Sequence, residues 1–77
     1  MTRAIAERPP TPARGPLSGQ DLALLALIAT GQPFDAVARR LLVSERTVRR
    51  RTRQVCDRIE VASPIEAVVW AVRRGLI

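Results

Sequence analysis

The segment VSERTVRRRTRQVCDRI, Val43 to Ile59, holds six arginines in 17 residues. Arginine carries a planar, permanently charged guanidinium. Its fork of N–H donors fits a phosphate, or the O6 and N7 edge of guanine. The chemistry on offer is anion recognition. At about 100° per residue, Val48, Thr52, Val55 and Ile59 fall on one stripe, and Arg46, Arg49, Arg50 and Arg53 fall on the opposite face. Gln54 sits at the edge of that face. Arg51 lies beside the apolar stripe, so its charge has to reach outward along its stem. A solvated helix face mixes charge signs at i, i+4 spacing. Over its first three turns this face offers only Glu45, in the first turn where the helix dipole favours an acid.

The charge is unevenly placed. All 13 basic residues are arginine and the net charge is +6. A GC-rich genome would also favour arginine codons, but codon usage does not explain the clustering. Residues 39–58 carry eight arginines against Glu45 and Asp57, and the rest of the chain is neutral. A concentrated basic block selects nucleic acid as partner first and an anionic membrane surface second. Arg39 and Arg40 fit either backbone phosphates or simple solvation.

Other classes fall away. The chain has no histidine, lysine or tyrosine, so no acid–base or nucleophile–base pair stands out and no enzyme is expected. With Cys56 alone and no histidine, no Cys/His metal cluster can be assembled. No cofactor is expected either, since there is no glycine-rich phosphate loop. Cys56, at the edge of the buried stripe, reads as a packing residue, and a lone cysteine fits a reducing cytoplasm. The longest apolar run, Leu22 to Ala29, has eight residues, where a membrane helix needs about 20. The N-terminus has no apolar stretch of a secretory signal. Two aromatics, Phe34 and Trp70, cannot build a single-strand stacking groove. Phe34 is expected to fill the hinge between the first two helices, and Trp70 to serve packing or a partner contact.

The elements that position the arginines are helices. Residues 1–16 hold Pro9, Pro10, Pro12 and Pro16 and read as an extended or disordered tail. That tail is a linker left from a longer regulator, or an arm of native or vector origin. Residues 17–77 read as one all-α domain of four helices. The first starts at Ser18 with Asp21 three residues on, a capping-box start, and stops at Gly31. It is apolar nearly all round and is expected to be largely buried. The second runs from about Pro33 to Leu41, with Val37 and Leu41 inward. Leu42, Val43 and Ser44 make a turn, and Ser44 caps the third helix with Thr47 at its third position. The fourth opens with Ser63, Pro64 and Glu66 as cap, first residue and box partner, and ends at Gly75. Two short helices joined by a three-residue turn, the second one basic, suggest a helix-turn-helix whose second helix enters a major groove.

In the fourth helix Val68, Ala71 and Gly75 share one face, and Ile65, Val69, Val72 and Leu76 form a second stripe with the spacing of a helix–helix seam. The tail could cover that stripe. Symmetric pairing of fourth helices in a weak homodimer, formed mainly on DNA, is the preferred reading, with Ile65, Val69 and Val72 at the interface.

From Leu17 to Ile77 the chain resembles the LuxR/GerE-type helix-turn-helix domain of bacterial transcription regulators. The resemblance opens on Leu17, Ser18 and Asp21 and continues through Leu25, Leu27, Ile28, Ala29 and Gly31. It runs on through Val37, Ala38, Leu41, Val43 and Ser44, then Thr47, Val48 and Arg49, then Val55, Arg58, Ile59 and Val61. It closes on Glu66, Ala67 and Val68 and on Gly75, Leu76 and Ile77. The chain departs from the family pattern at several places. Phe34, Asp35 and Ala36 replace Asn-Lys-Glu, Arg51 replaces a histidine, and Pro64 replaces an arginine. Leu22 and Ala23 stand where the family is polar. The Asp35 charge opposes a phosphate there, so target and affinity are open to difference.

The resemblance implies sequence-specific binding of double-stranded DNA by a transcription regulator. It implies base-edge contacts from Arg49, Arg50 and Arg53, and phosphate contacts near Ser44, Arg46 and Thr47. It also implies the fourth-helix homodimer. Two other readings stay open. One is a protein-interaction module, an adaptor or inhibitor of a regulator or polymerase that keeps the fold. The other is a sigma-like promoter-reading domain. Salt-dependent DNA binding separates the first alternative from the preferred reading.

Overall fold

A computed structural model describes residues 16–77, which form four helices: α1 Gly19–Ala29, α2 Phe34–Leu41, α3 Glu45–Arg58 and α4 Pro64–Arg73. No strand occurs among the described residues. The tail expected over residues 1–16 lies outside them except for Pro16.

Serine caps begin three of the helices. Ser18 accepts the Asp21 amide at 3.1 Å, and the Asp21 carboxylate accepts the Ser18 amide at 2.9 Å. Leu17, just ahead of this cap, is fully buried in the same cluster as Leu22, the arrangement that fixes how the chain enters a helix. Ser44 accepts the Thr47 amide at 3.0 Å. Ser63 accepts the Glu66 amide at 3.3 Å, with Pro64 as the first helical residue. Glu66 closes its box differently from expectation: its carboxylate takes the Ala62 amide at 3.5 Å and the Ser63 hydroxyl at 3.1 Å. The second helix also starts one residue late. Pro33 is extended, at φ −67° and ψ 159°, and serves as the cap without a side-chain bond.

Three helices end the same way. Val43 donates to the Ala38 carbonyl at 3.0 Å, Val61 to Cys56 at 2.9 Å and Leu76 to Ala71 at 2.9 Å. Each is the six-to-one bond of a Schellman ending, and each places an apolar residue against the core. Such an ending needs a left-handed residue just before it. Only α4 supplies glycine, Gly75 at φ 68°, while Leu42 at φ 60° and Glu60 at φ 61° take the conformation with a side chain. Gly75, grouped by spacing with Val68 and Ala71, lies past the helix end and is exposed, whereas those two are buried in the core.

The core has two parts. Leu17, Leu22 and Leu25 meet Val55 and Cys56 of α3 and Ala67, Val68 and Ala71 of α4. Leu24 meets Val37 and Ala38 of α2 and Val48 of α3. Ile28 packs on both. α1 contacts all three other helices but is less enclosed than its composition suggests. Leu22, Leu24 and Leu25 are buried, while Ala23, Ala26 and Ala29 are exposed. The other three helices leave part of its surface open, and alanine leaves little apolar area in water. For α3 the outcome is firm seating. Val48 holds its start in one cluster and Val55 with Cys56 its end in the other, each fully buried valine contributing about 1.5–3 kcal/mol. Thr52 between them is buried, and its hydroxyl is satisfied by the Val48 carbonyl at 2.7 Å.

Candidate nucleic-acid interface

With the apolar stripe of α3 fixed inward, the opposite face has to be outward. Arg46, Arg49, Arg50 and Arg53 are all exposed, and a shallow groove of about 260 Å³ is lined by these four residues. Ser44 and Thr47 stand at the head of the same helix. The Ser44 hydroxyl donates to the Thr47 hydroxyl at 2.9 Å while accepting the Thr47 amide. All six DNA-contacting residues expected from the sequence therefore lie on one helix and its cap.

The four arginines are not equivalent. The Arg49 guanidinium is bonded to the Glu45 carboxylate, its Nε at 3.2 Å, and lies over the Phe34 ring at 5.2 Å from the centroid. Arg46, Arg50 and Arg53 have no ion pair among the described residues. Their charge is uncompensated and available to a polyanion. The i, i+4 spacing is the signal for the Glu45–Arg49 pair, so the helix-dipole role assigned to Glu45 above covers only half of what it does. No sequence signal announces the Phe34 contact, which depends on how α2 crosses α3. Phe34 therefore does more than fill a hinge: it supports an arginine of the exposed face.

The flanking charges sort themselves similarly. Arg39 pairs with Asp35 at 3.4 Å, so Asp35 is partly neutralised by its own helix. Arg40 is exposed without such a partner among the described residues. Arg58 is turned away to α1, where it reaches Asp21 at 3.0 Å. Arg51 is half-buried beside the core, as its place on the helix suggests.

Cys56 is buried, and burial first, then the nearby Asp57 and Glu66 charges, pushes its thiol above the usual range. A neutral, enclosed thiol is a poor nucleophile, in keeping with packing. No group of metal-ligating residues occurs among the described residues, and no helix among them is long and apolar enough to cross a membrane.

The fourth helix carries a separate feature. Ile65, Val69 and Val72 are 65%, 41% and 53% exposed. Leu76, expected to continue their stripe, instead packs partly against the core. Trp70 also packs on the core from its edge, with the Arg74 guanidinium 4.2 Å from its ring centroid.

The model of the family described as bacterial regulatory proteins, luxR family, matches residues 15–71. The chain belongs to the luxR family. Nothing among curated proteins or solved structures matches it. The luxR-family match takes in the whole helix-turn-helix, made of α2, the turn at Leu42–Ser44, and α3. This assigns the chain a DNA-binding regulatory domain, of a family that is not typically enzymatic. The luxR-family resemblance at Gly75, Leu76 and Ile77 lies beyond the matched residues.

Proposed function

We propose that residues 17–77 bind double-stranded DNA in a sequence-specific way as part of a cytoplasmic bacterial transcription regulator, with α3 in the major groove. The observation that carries this reading is the cluster of Arg46, Arg50 and Arg53, exposed and without ion pairs among the described residues, on the face of α3 opposite its core stripe. Like charges held together this way repel one another until an anion neutralises them. Arg50 and Arg53, further along the helix, are assigned to base edges, and Arg49 joins them from the side facing α2. Arg46, with Ser44 and Thr47 at the cap, is assigned to phosphate. Bidentate arginine contacts on guanine are each worth about 1–3 kcal/mol of discrimination.

The exposed Ile65, Val69 and Val72 support a homodimer through α4. A two-fold pair would present two copies of α3 to the half-sites of an inverted repeat. The paired area would be small, so the dimer is weak and forms mainly on DNA.

Selection of bound duplexes from a random pool tests the function. A recovered inverted repeat supports it. The ranking of single-base variants should flatten for Arg50→Ala and Arg53→Ala, whereas Arg46→Ala should weaken all duplexes alike. A pool that enriches no sequence argues for the interaction-module reading instead.

A further inference from the structure

We propose that Phe34 is a positioning residue for DNA recognition, acting by holding the Arg49 guanidinium at the edge of the α3 face in one orientation. The proposal rests on the reading of α3 as the DNA-contacting helix and adds the contact from α2 that prepares it.

Three observations converge on it. First, Arg49 is held from two directions. Glu45 takes its Nε and one Nη from below along the helix, and the Phe34 ring lies under the guanidinium from α2. An ion pair alone leaves a long side chain free to pivot about the carboxylate. A ring face at 5.2 Å adds a second constraint, because the positive guanidinium is drawn to the negative face of the ring. Second, Phe34 is itself fixed. It is half-buried and packed on the cluster that holds Val37, Ala38 and Val48. The support therefore stands on the same core that seats the start of α3.

Third, there is an alternative for Arg49 to be held away from. An open cleft of about 420 Å³ lies beside it, lined by Phe34, Arg49, Thr52 and Arg53 on one side and by Val61 and Pro64 on another. Asp57 also lines this cleft and has no ion pair among the described residues. Removing the ring widens the cleft and opens it to the Arg49 guanidinium. The guanidinium would then divide its time between the DNA-facing edge and the cleft. Holding it in place means less side-chain freedom is lost when DNA binds.

Phe34 stands where the family pattern has a polar residue, and the ring support gives that departure a role. A polar contact from the start of α2 is exchanged for tighter control of one arginine on α3.

The test uses the purified full chain and a duplex recovered from a random pool, together with its single-base-pair variants. Arg49→Ala identifies the base pair that Arg49 reads. Phe34→Leu, which keeps apolar bulk but removes the ring face, should lower discrimination at that base pair about three- to fivefold, the size of an exposed cation–π contact. Discrimination at the base pairs read by Arg50 and Arg53 should not change. Phe34→Tyr should restore it, and Phe34→Leu should have no further effect in an Arg49→Ala background. Thermal melting by circular dichroism accompanies each variant, with Phe34→Met as a second ring-free variant if leucine lowers the melting point. The proposal is overturned if the ring-free variants weaken all base pairs alike, if tyrosine fails as leucine does, or if the loss persists without Arg49. If Arg49→Ala alters no base preference while Arg50→Ala and Arg53→Ala do, the positioning role falls and the DNA-binding reading stands. If none of the three alters preference, the base-reading assignment itself is wrong.

Discussion

The Arg58 guanidinium lies 3.0 Å from the Asp21 carboxylate, tying the last turn of α3 to the first turn of α1 across 37 positions of sequence. Asp21 also holds the Ser18 amide, so one carboxylate serves a helix cap and a tertiary link. Asp21→Asn keeps an acceptor for the cap and removes the charge. It should cost about 0.5–1 kcal/mol, because Arg58 is half-exposed and screened. Asp21→Ala loses the cap bond as well and should cost about 1–2 kcal/mol. Urea unfolding separates the two. Equal losses for both variants would mean that the link to Arg58 contributes everything and the cap nothing.

Leu42 is 91% exposed and sits at φ 60° in the turn between α2 and α3. A side chain in this region costs about 1–2 kcal/mol, and glycine gives back about 0.5–1 kcal/mol of that in chain entropy. Leu42→Gly should therefore stabilise the domain by roughly 0.5–1 kcal/mol and leave DNA preference unchanged. A lower urea midpoint for the variant would show that the leucine side chain makes a stabilising contact.

The caps at Ser18, Ser44 and Ser63 and the inward stripe of Val48, Thr52 and Val55 are legible in the sequence, because each depends on neighbours within one or two turns. The same locality makes the arginine face legible. The endings at Leu42 and Glu60 are not, since leucine and glutamate disfavour the left-handed conformation that tertiary packing of Val43 and Val61 imposes on them. The exposure of Ala23 and Ala26 escapes a hydrophobicity reading for a related reason: alanine is apolar but small enough to leave outside. The contacts of Phe34 with Arg49 and of Arg58 with Asp21 depend on how helices cross, which spacing along the chain does not encode.

Cys56 gives a dependence on pH with a defined sign. Its thiol is pushed upward in the folded state, so the unfolded chain ionises first. The stability this provides is complete below the ordinary thiol value, about 8.5, and is lost as pH rises above it. Melting temperatures of the wild type and Cys56→Val, compared from neutral to alkaline pH, should shift relative to one another against the wild type, which falls more steeply. Parallel curves would contradict the shift. Labelling by a thiol reagent should also be slow in the folded chain and fast in urea.

Val69→Glu combined with Val72→Glu places two charges on the exposed stripe of α4. The variant should stay helical, since both residues are substantially exposed. In analytical ultracentrifugation with a palindromic duplex it should load its two copies without cooperativity. Unchanged cooperativity in a folded variant would place the dimer contact elsewhere.

The slope of log affinity against log salt tests the central claim most directly. Each phosphate neutralised on duplex DNA contributes about −0.9 to that slope. The wild-type chain should show a steep negative slope between low and moderate salt, and Arg46→Ala should reduce it by about one. A flat dependence in the wild type, or no duplex binding at low salt, would contradict the account.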